Sequence, residues 1–117
     1  MYICAEKLSI LQSSIEGNSI EEFDPIPLKQ MGTIAVMTDG HTRAYAAHLS
    51  GLKQIRAYWD EDELDWEAYQ ICLAWCDIKG VTKVSDFENR VIPEVEYEEL
   101  WIKRCQKMHE DLAINLH

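Results

Sequence analysis

Asp39-Gly40-His41-Thr42-Arg43 gathers a carboxylate, an imidazole, a hydroxyl and a guanidinium into five consecutive positions. Arginine presents a planar, permanently charged fork that matches phosphate oxygens at two points. Imidazole and carboxylate are the side chains that handle protons most often near neutral pH. Together they suit the binding of a phosphate, without by themselves naming a reaction. Such groups work only if the backbone aims them. Thr33-Ile34-Ala35-Val36-Met37, rich in β-branched residues, reads as a strand leading into Asp39-Gly40. The Ala-rich stretch that follows reads as a helix over 42–50 that stops at Gly51, well placed at the C′ position. The first turn of that helix would present unpaired backbone N–H groups and a partial positive charge, which favour an anion.

Composition narrows the partners. The 117 residues carry 21 acidic against 11 basic side chains, a net charge of −10, without a Lys/Arg cluster. Backbone contact with DNA needs a basic face, so nucleic-acid binding is disfavoured, while a small anion needs only one local positive site. No apolar run reaches the length of a membrane span. The first residues lack a basic region followed by an apolar one, which reads as cytoplasmic. Cys4, Cys72, Cys76 and Cys105 include no CxxC pair. Cys72 and Cys76 are i, i+4 on an expected helix, without a second pair at ligand spacing, and the four read as buried reduced thiols rather than metal ligands. Asp60-Glu61-Asp62-Glu63-Leu64-Asp65 lacks the glycine and glutamate spacing of a calcium loop and reads as a solvated helix N-terminus.

The remaining elements follow from periodicity. Leu8, Leu11 and Ile15 mark one face of a helix over 5–16, stopped by Gly17-Asn18. Ile26 to Lys29 reads as a short strand, with Pro27 pointing to an edge or a strand start. Met31-Gly32 is the expected hairpin turn. Lys53 to Trp59 alternates, placing Ile55, Ala57 and Trp59 on one strand face and completing a β-α-β unit. Trp66 to Lys79 reads as a mostly buried helix ended by Gly80. Ser85 and Glu88 have capping-box spacing for a short helix before Pro93. Tyr97, Trp101, Cys105, Met108 and Leu112 stripe one face of a final helix over 94–112, with fraying expected from Ala113. Trp59, Trp66, Trp75 and Trp101 read as core. The expected class is α+β in a single domain, 1–117, made of a core over 1–60 and a helical extension over 61–117 packed on it.

Ile26-Pro27-Leu28, Thr33 to Ala47 through the DGHTR turn, Gly51-Leu52 and Ile55-Arg56-Ala57-Tyr58 resemble the ParB/sulfiredoxin superfamily across residues 5–60. That family's pattern is a "PI-x-V" strand, a strand ending in (D)GxxRxxA, a short helix ending in Gly, and a further strand. The resemblance implies a small mixed sheet, with a nucleotide phosphate held by the turn through Gly40, His41, Thr42 and Arg43. The implied ligand is a nucleotide such as ATP, ADP or CTP, with Mg as an accompanying ion, or another phosphorylated small molecule. Sulfiredoxin-type reduction needs a cysteine directly after the motif glycine, and His41 stands there instead. The partition proteins carry a basic GERRxxA version and a separate helix-turn-helix, neither of which this chain has. Nuclease chemistry lacks a metal-binding carboxylate cluster.

The turn is similar to the Asp-Gly-His-x-Arg version found in free-serine kinases of the same fold. That similarity implies catalytic roles for Asp39, at the acceptor hydroxyl, and His41, at the transferring phosphate, with Glu21 or Glu22 as base. Each residue also has a structural alternative: Asp39 as an Asx turn or helix cap, His41 as a packed residue, Arg43 paired with a carboxylate. Three functions stay in play: a phosphate or nucleotide binder that transfers phosphate to a small hydroxylated molecule, a non-enzymatic regulatory or interaction module, and a DNA-binding or nuclease-type domain. The C-terminal helix would serve a homo-oligomer or a protein partner.

Overall fold

The computed structural model describes residues 1–15, 19–63 and 65–115. In chain order its elements are β1 (Ile3–Cys4), α1 (Ala5–Ser13), β2 (Ile26–Met31), β3 (Ile34–Met37), α2 (His41–Leu49), β4 (Ala57–Trp59), α3 (Trp66–Ile78), β5 (Val91–Ile92), α4 (Glu94–Tyr97) and α5 (Lys103–Asn115). Tight 3-10 turns lie at Ile20–Glu22 and Val84–Asn89, and a π turn joins α4 to α5 at Glu98–Ile102. The class is α+β. The chain forms two compact units, residues 6–62 and residues 63–117 together with 1–5. The split read from sequence fell after residue 60, and it left the first five residues with the other half. No helix is long and apolar enough to cross a membrane among the described residues.

Residues 6–62 hold a three-stranded sheet in the order β3-β2-β4. β2 and β3 form an antiparallel hairpin, Met31 opposite Ile34, so its loop is Gly32-Thr33, one residue later than the sequence suggested. β4 runs parallel to β2, with Ile26 opposite Ala57 and Leu28 opposite Trp59. The strands on either side of α2 are therefore antiparallel to each other and flank β2; the parallel pair is β2 and β4. Pro27 does sit at a strand start, but the strand is central rather than an edge. The geometry explains this. Ile26 N–H donates to Arg56 O and Leu28 O accepts from Asp60 N–H, so alternate residues bond toward β4. Pro27 faces the β3 side, where its carbonyl accepts from Thr38 N–H; its nitrogen cannot return that bond, and the β2–β3 ladder ends there.

β4 is shorter and barer than its alternation implied. Only Ala57 to Trp59 are strand, and both faces are exposed, Tyr58 at 52% and Trp59 at 60%. In α2, Ala44, Tyr45, Ala46 and Ala47 are all buried, so the helix is enclosed around most of its circumference. Leu8, Phe23, Ile26 and Val36 complete the buried set of this unit. α2 ends in a Schellman motif: Gly51 takes φ +87°, its N–H donates to His48 O, and Leu52 N–H donates to Ala47 O. α3 ends in the same way at Gly80. α1 ends at Ser13, short of the expected span 5–16, and the expected stop at Gly17-Asn18 lies outside the described residues.

In the second unit β1 and β5 make a two-residue parallel pair, Ile3 opposite Val91 and Cys4 opposite Ile92. The helix expected up to Pro93 is a 3-10 turn followed by this strand. Its start is held by Asp86, whose carboxylate accepts from the N–H groups of Thr82 and Lys83, and not by a Ser85–Glu88 box. Those bonds hold the Asp86 carboxyl below its ordinary pKa. Asp65 caps α3 by accepting from Ala68 N–H. α3 is half-buried rather than mostly buried, with Ala68 its one fully buried side chain and Trp66 38% exposed. The C-terminal stripe holds as read. Trp101 and Met108 are buried, and Tyr97, Cys105 and Leu112 are half-buried. Lys103 N–H reaches Glu98 O, an i to i+5 bond that defines the π turn, and α5 runs to Asn115; the end of the tail expected to fray, residues 116–117, lies outside the described residues.

Candidate functional site

The DGHTR turn links β3 to α2, and the start of β2 supports it. Gly40 is the N-cap of α2, in the left-handed region at φ +78° and buried. A Cβ at this position would lie 2.8 Å from Ile26 Cγ2 and 2.9 Å from Arg43 Nη2, so glycine is required for its dihedral and for its space. Thr38 N–H donates to Pro27 O at 3.2 Å, and Arg43 Nη1 donates to Pro25 O at 3.0 Å. The carbonyls of Pro25 and Pro27 thus brace both ends of the turn. Sequence reading missed this role of the two prolines. The signal available was that a proline carbonyl accepts a bond while its nitrogen cannot compete for a partner.

Arg43 is half-buried and makes no ion pair with a carboxylate among the described residues; its guanidinium lies over Gly40. One of its five donors is engaged by Pro25. His41 is the most perturbed group of the turn. Burial lowers its pKa to about 4, while the Asp39 carboxylate and a hydrogen bond to the Met37 carbonyl pull the other way. The imidazole is neutral at pH 7, with one ring N–H donating to Met37 O. Asp39 is exposed, and α2 has no side-chain cap, so Asp39 acts on its surroundings through charge and not as the N-cap.

The first bond of α2 runs from Ala44 N–H to Gly40 O at 2.9 Å. The N–H groups of Thr42 and Arg43 and the Thr42 hydroxyl have no acceptor or donor partner within the chain among the described residues. The structure therefore brings Asp39, Gly40, His41, Thr42 and Arg43 together, as five successive residues must be, and leaves two main-chain donors open beside a cation.

Glu21 does not join them. It is exposed on the 3-10 turn, accepts from the Ser19 hydroxyl and is held below its ordinary pKa by that bond. It lines a shallow depression with Ser19, Ile20, Leu52, Lys53 and Gln54. Those last three residues follow the C-terminus of α2, about 14 Å of helix away from the turn. Glu22 is exposed on the same 3-10 turn. Arg56 fixes this region, donating from Nη2 to the carbonyls of Phe23 and Glu21. Among the described residues no group of three or more His, Cys, Asp or Glu is arranged to hold a metal ion. No protein-family model, curated protein or solved structure matches the chain.

Proposed function

We propose that residues 6–62 bind the phosphate of a nucleotide, or of another phosphorylated small molecule, at the turn Asp39 to Arg43. The observation that carries this reading is the pair of open N–H donors on Thr42 and Arg43, at an uncapped helix start with the Arg43 guanidinium alongside. A helix N-terminus concentrates partial positive charge there, and a guanidinium adds a full one. Gly40, having no side chain, lets the Arg43 guanidinium lie against the main chain at the helix start. His41, neutral at pH 7, contributes shape and a fixed dipole rather than charge. In this account an overall acidic protein retains one small positive pocket, which selects a compact anion over a nucleic-acid backbone.

Phosphate transfer to a small hydroxylated molecule is the sharper version, and it rests on the resemblance of Asp39-Gly40-His41-Thr42-Arg43 to the kinase turn. Binding without turnover, as in a regulatory module, is favoured by the position of Glu21 beyond the far end of α2. Magnesium would enter with the nucleotide, as a counter-ion to its phosphates.

The test is a melting-temperature titration with ATP, ADP, CTP and GTP at millimolar concentration, since a ligand of the native state raises the transition. At least one nucleotide should raise it. The Arg43→Gln variant, which keeps a donor for Pro25 O but loses the charge, should stay folded and lose the shift. If no nucleotide moves the transition, the reading fails. Where one does, phosphorus NMR with serine and other small alcohols separates transfer from binding.

A further inference from the structure

All four cysteines fall in the unit made by residues 1–5 and 63–117. Two of them, Cys72 on α3 and Cys105 on α5, come within reach of each other where the two helices pack. The surrounding contacts show why. Trp75 meets the Trp101 ring edge-on, with centroids 5.9 Å apart, and the Arg104 guanidinium lies 3.8 Å above the Trp75 ring. One turn back along α3 from Trp75 is Cys72, and one turn forward from Trp101 is Cys105. Ala68 and Met108, both buried, continue the series by a further turn in each direction. The reversed order is that of two antiparallel helices, and it places the two sulfurs at one level of the interface. Both thiols are half-buried, so a small reagent can reach the pair.

We propose that Cys72 and Cys105 form an oxidative cross-linking site, closed to an intramolecular disulfide by a low-molecular-weight disulfide such as oxidised glutathione. One cysteine, as thiolate, attacks a sulfur of the reagent; the reagent's S–S bond breaks and one reduced glutathione leaves. The second cysteine attacks the resulting mixed disulfide, forms the Cys72–Cys105 bond and expels a second glutathione. Two electrons pass to the reagent, and the two cysteine protons end on the released thiols. The closed bond joins α3 to α5 around a loop that includes the 3-10 turn, β5 and α4, which restricts the unfolded chain and stabilises this unit. Burial raises both thiols, Cys72 to about 11. The pair is protonated at neutral pH, so it responds to sustained rather than brief oxidation.

The experiment incubates the reduced, folded full chain with oxidised glutathione, alkylates the remaining thiols and maps the products by mass spectrometry. The expected product has lost the mass of two hydrogens, yields one peptide pair spanning Cys72 and Cys105, and unfolds at higher urea than the reduced form. Cys4→Ser and Cys76→Ser should still form it, whereas Cys72→Ser and Cys105→Ser should not. A Cys72–Cys76 link, a persistent glutathione adduct on the wild-type pair, or cross-linking only in urea-unfolded chains would each overturn the proposal. Near-UV circular dichroism of each serine variant, reporting Trp75 and Trp101, verifies that loss of the cross-link is not loss of the fold.

Discussion

The Arg43 guanidinium lies across Gly40, with Nη2 only 2.9 Å from where a glycine Cβ would be. The one residue that can take φ +78° without strain is thus also the residue whose missing side chain makes room for the cation. Backbone and charge are coupled at this point, and the coupling predicts the cost of changing it. Gly40→Ala meets a disfavoured dihedral and two close contacts, from Arg43 and from Ile26. The expected loss of stability is about 3 kcal/mol, from left-handed strain and overpacking together. Urea denaturation of the variant checks it; a change within a few tenths of a kcal/mol would show that the turn tolerates a side chain.

His41 gives the protein an acid-side stability slope. Its pKa is about 4 in the folded chain against 6.5 when exposed. Between those values the unfolded chain binds more protons than the native one. Stability contributed by the neutral, desolvated ring is therefore fully present above pH 6.5 and lost as pH falls through 4. The loss amounts to about 3 kcal/mol. Denaturation at intervals from pH 7 to pH 4 should show this slope in the wild type and a shallower one in His41→Gln. Because the Asp39 carboxylate supports the protonated ring, Asp39→Asn should lower the His41 pKa further, which proton NMR of the imidazole reads directly.

Lys29 holds the start of the acidic run. Its ammonium donates to Asp60 O at 2.9 Å and also to Asp62 O. Lys29→Met keeps the stem and removes both bonds. The expected cost is about 1 kcal/mol, with faster amide hydrogen exchange in residues 60–62 and unchanged exchange in α2. Equal exchange at 60–62 in the two proteins would mean that the run is held by something other than Lys29.

The parts legible in the sequence were those encoded by neighbours. α2 with its Gly51 stop follows from a local alanine run and one left-handed glycine. The stripe Tyr97-Trp101-Cys105-Met108-Leu112 follows from periodicity, even across a π turn. The parts that were not legible depend on residues far apart. The pairing of Ile3 with Val91 joins two short strands with no alternation to read. Pro27 suggested an edge or a strand start; it stands near the start of a central strand, where its missing donor removes only a bond at the end of the β2–β3 ladder. The exposed faces of β4 show that alternation reports what a strand can bury, not what the fold covers. At the site, sequence supplied the five residues of the turn. It did not supply Pro25 O as the partner of Arg43, the depressed pKa of His41, or the separation of Glu21 from the turn, because each depends on where β2 and the 3-10 turn lie in space.

The central claim is that Thr42 and Arg43 offer their main-chain donors to a phosphate. Two-dimensional nitrogen–proton NMR during an ATP titration tests it most directly. The account predicts saturable shifts largest for the amides of residues 40–44 and absent in Arg43→Gln. Unmoved amides at residues 40–44 in saturating ATP, or shifts confined to residues 19–21 and 52–54, would contradict it.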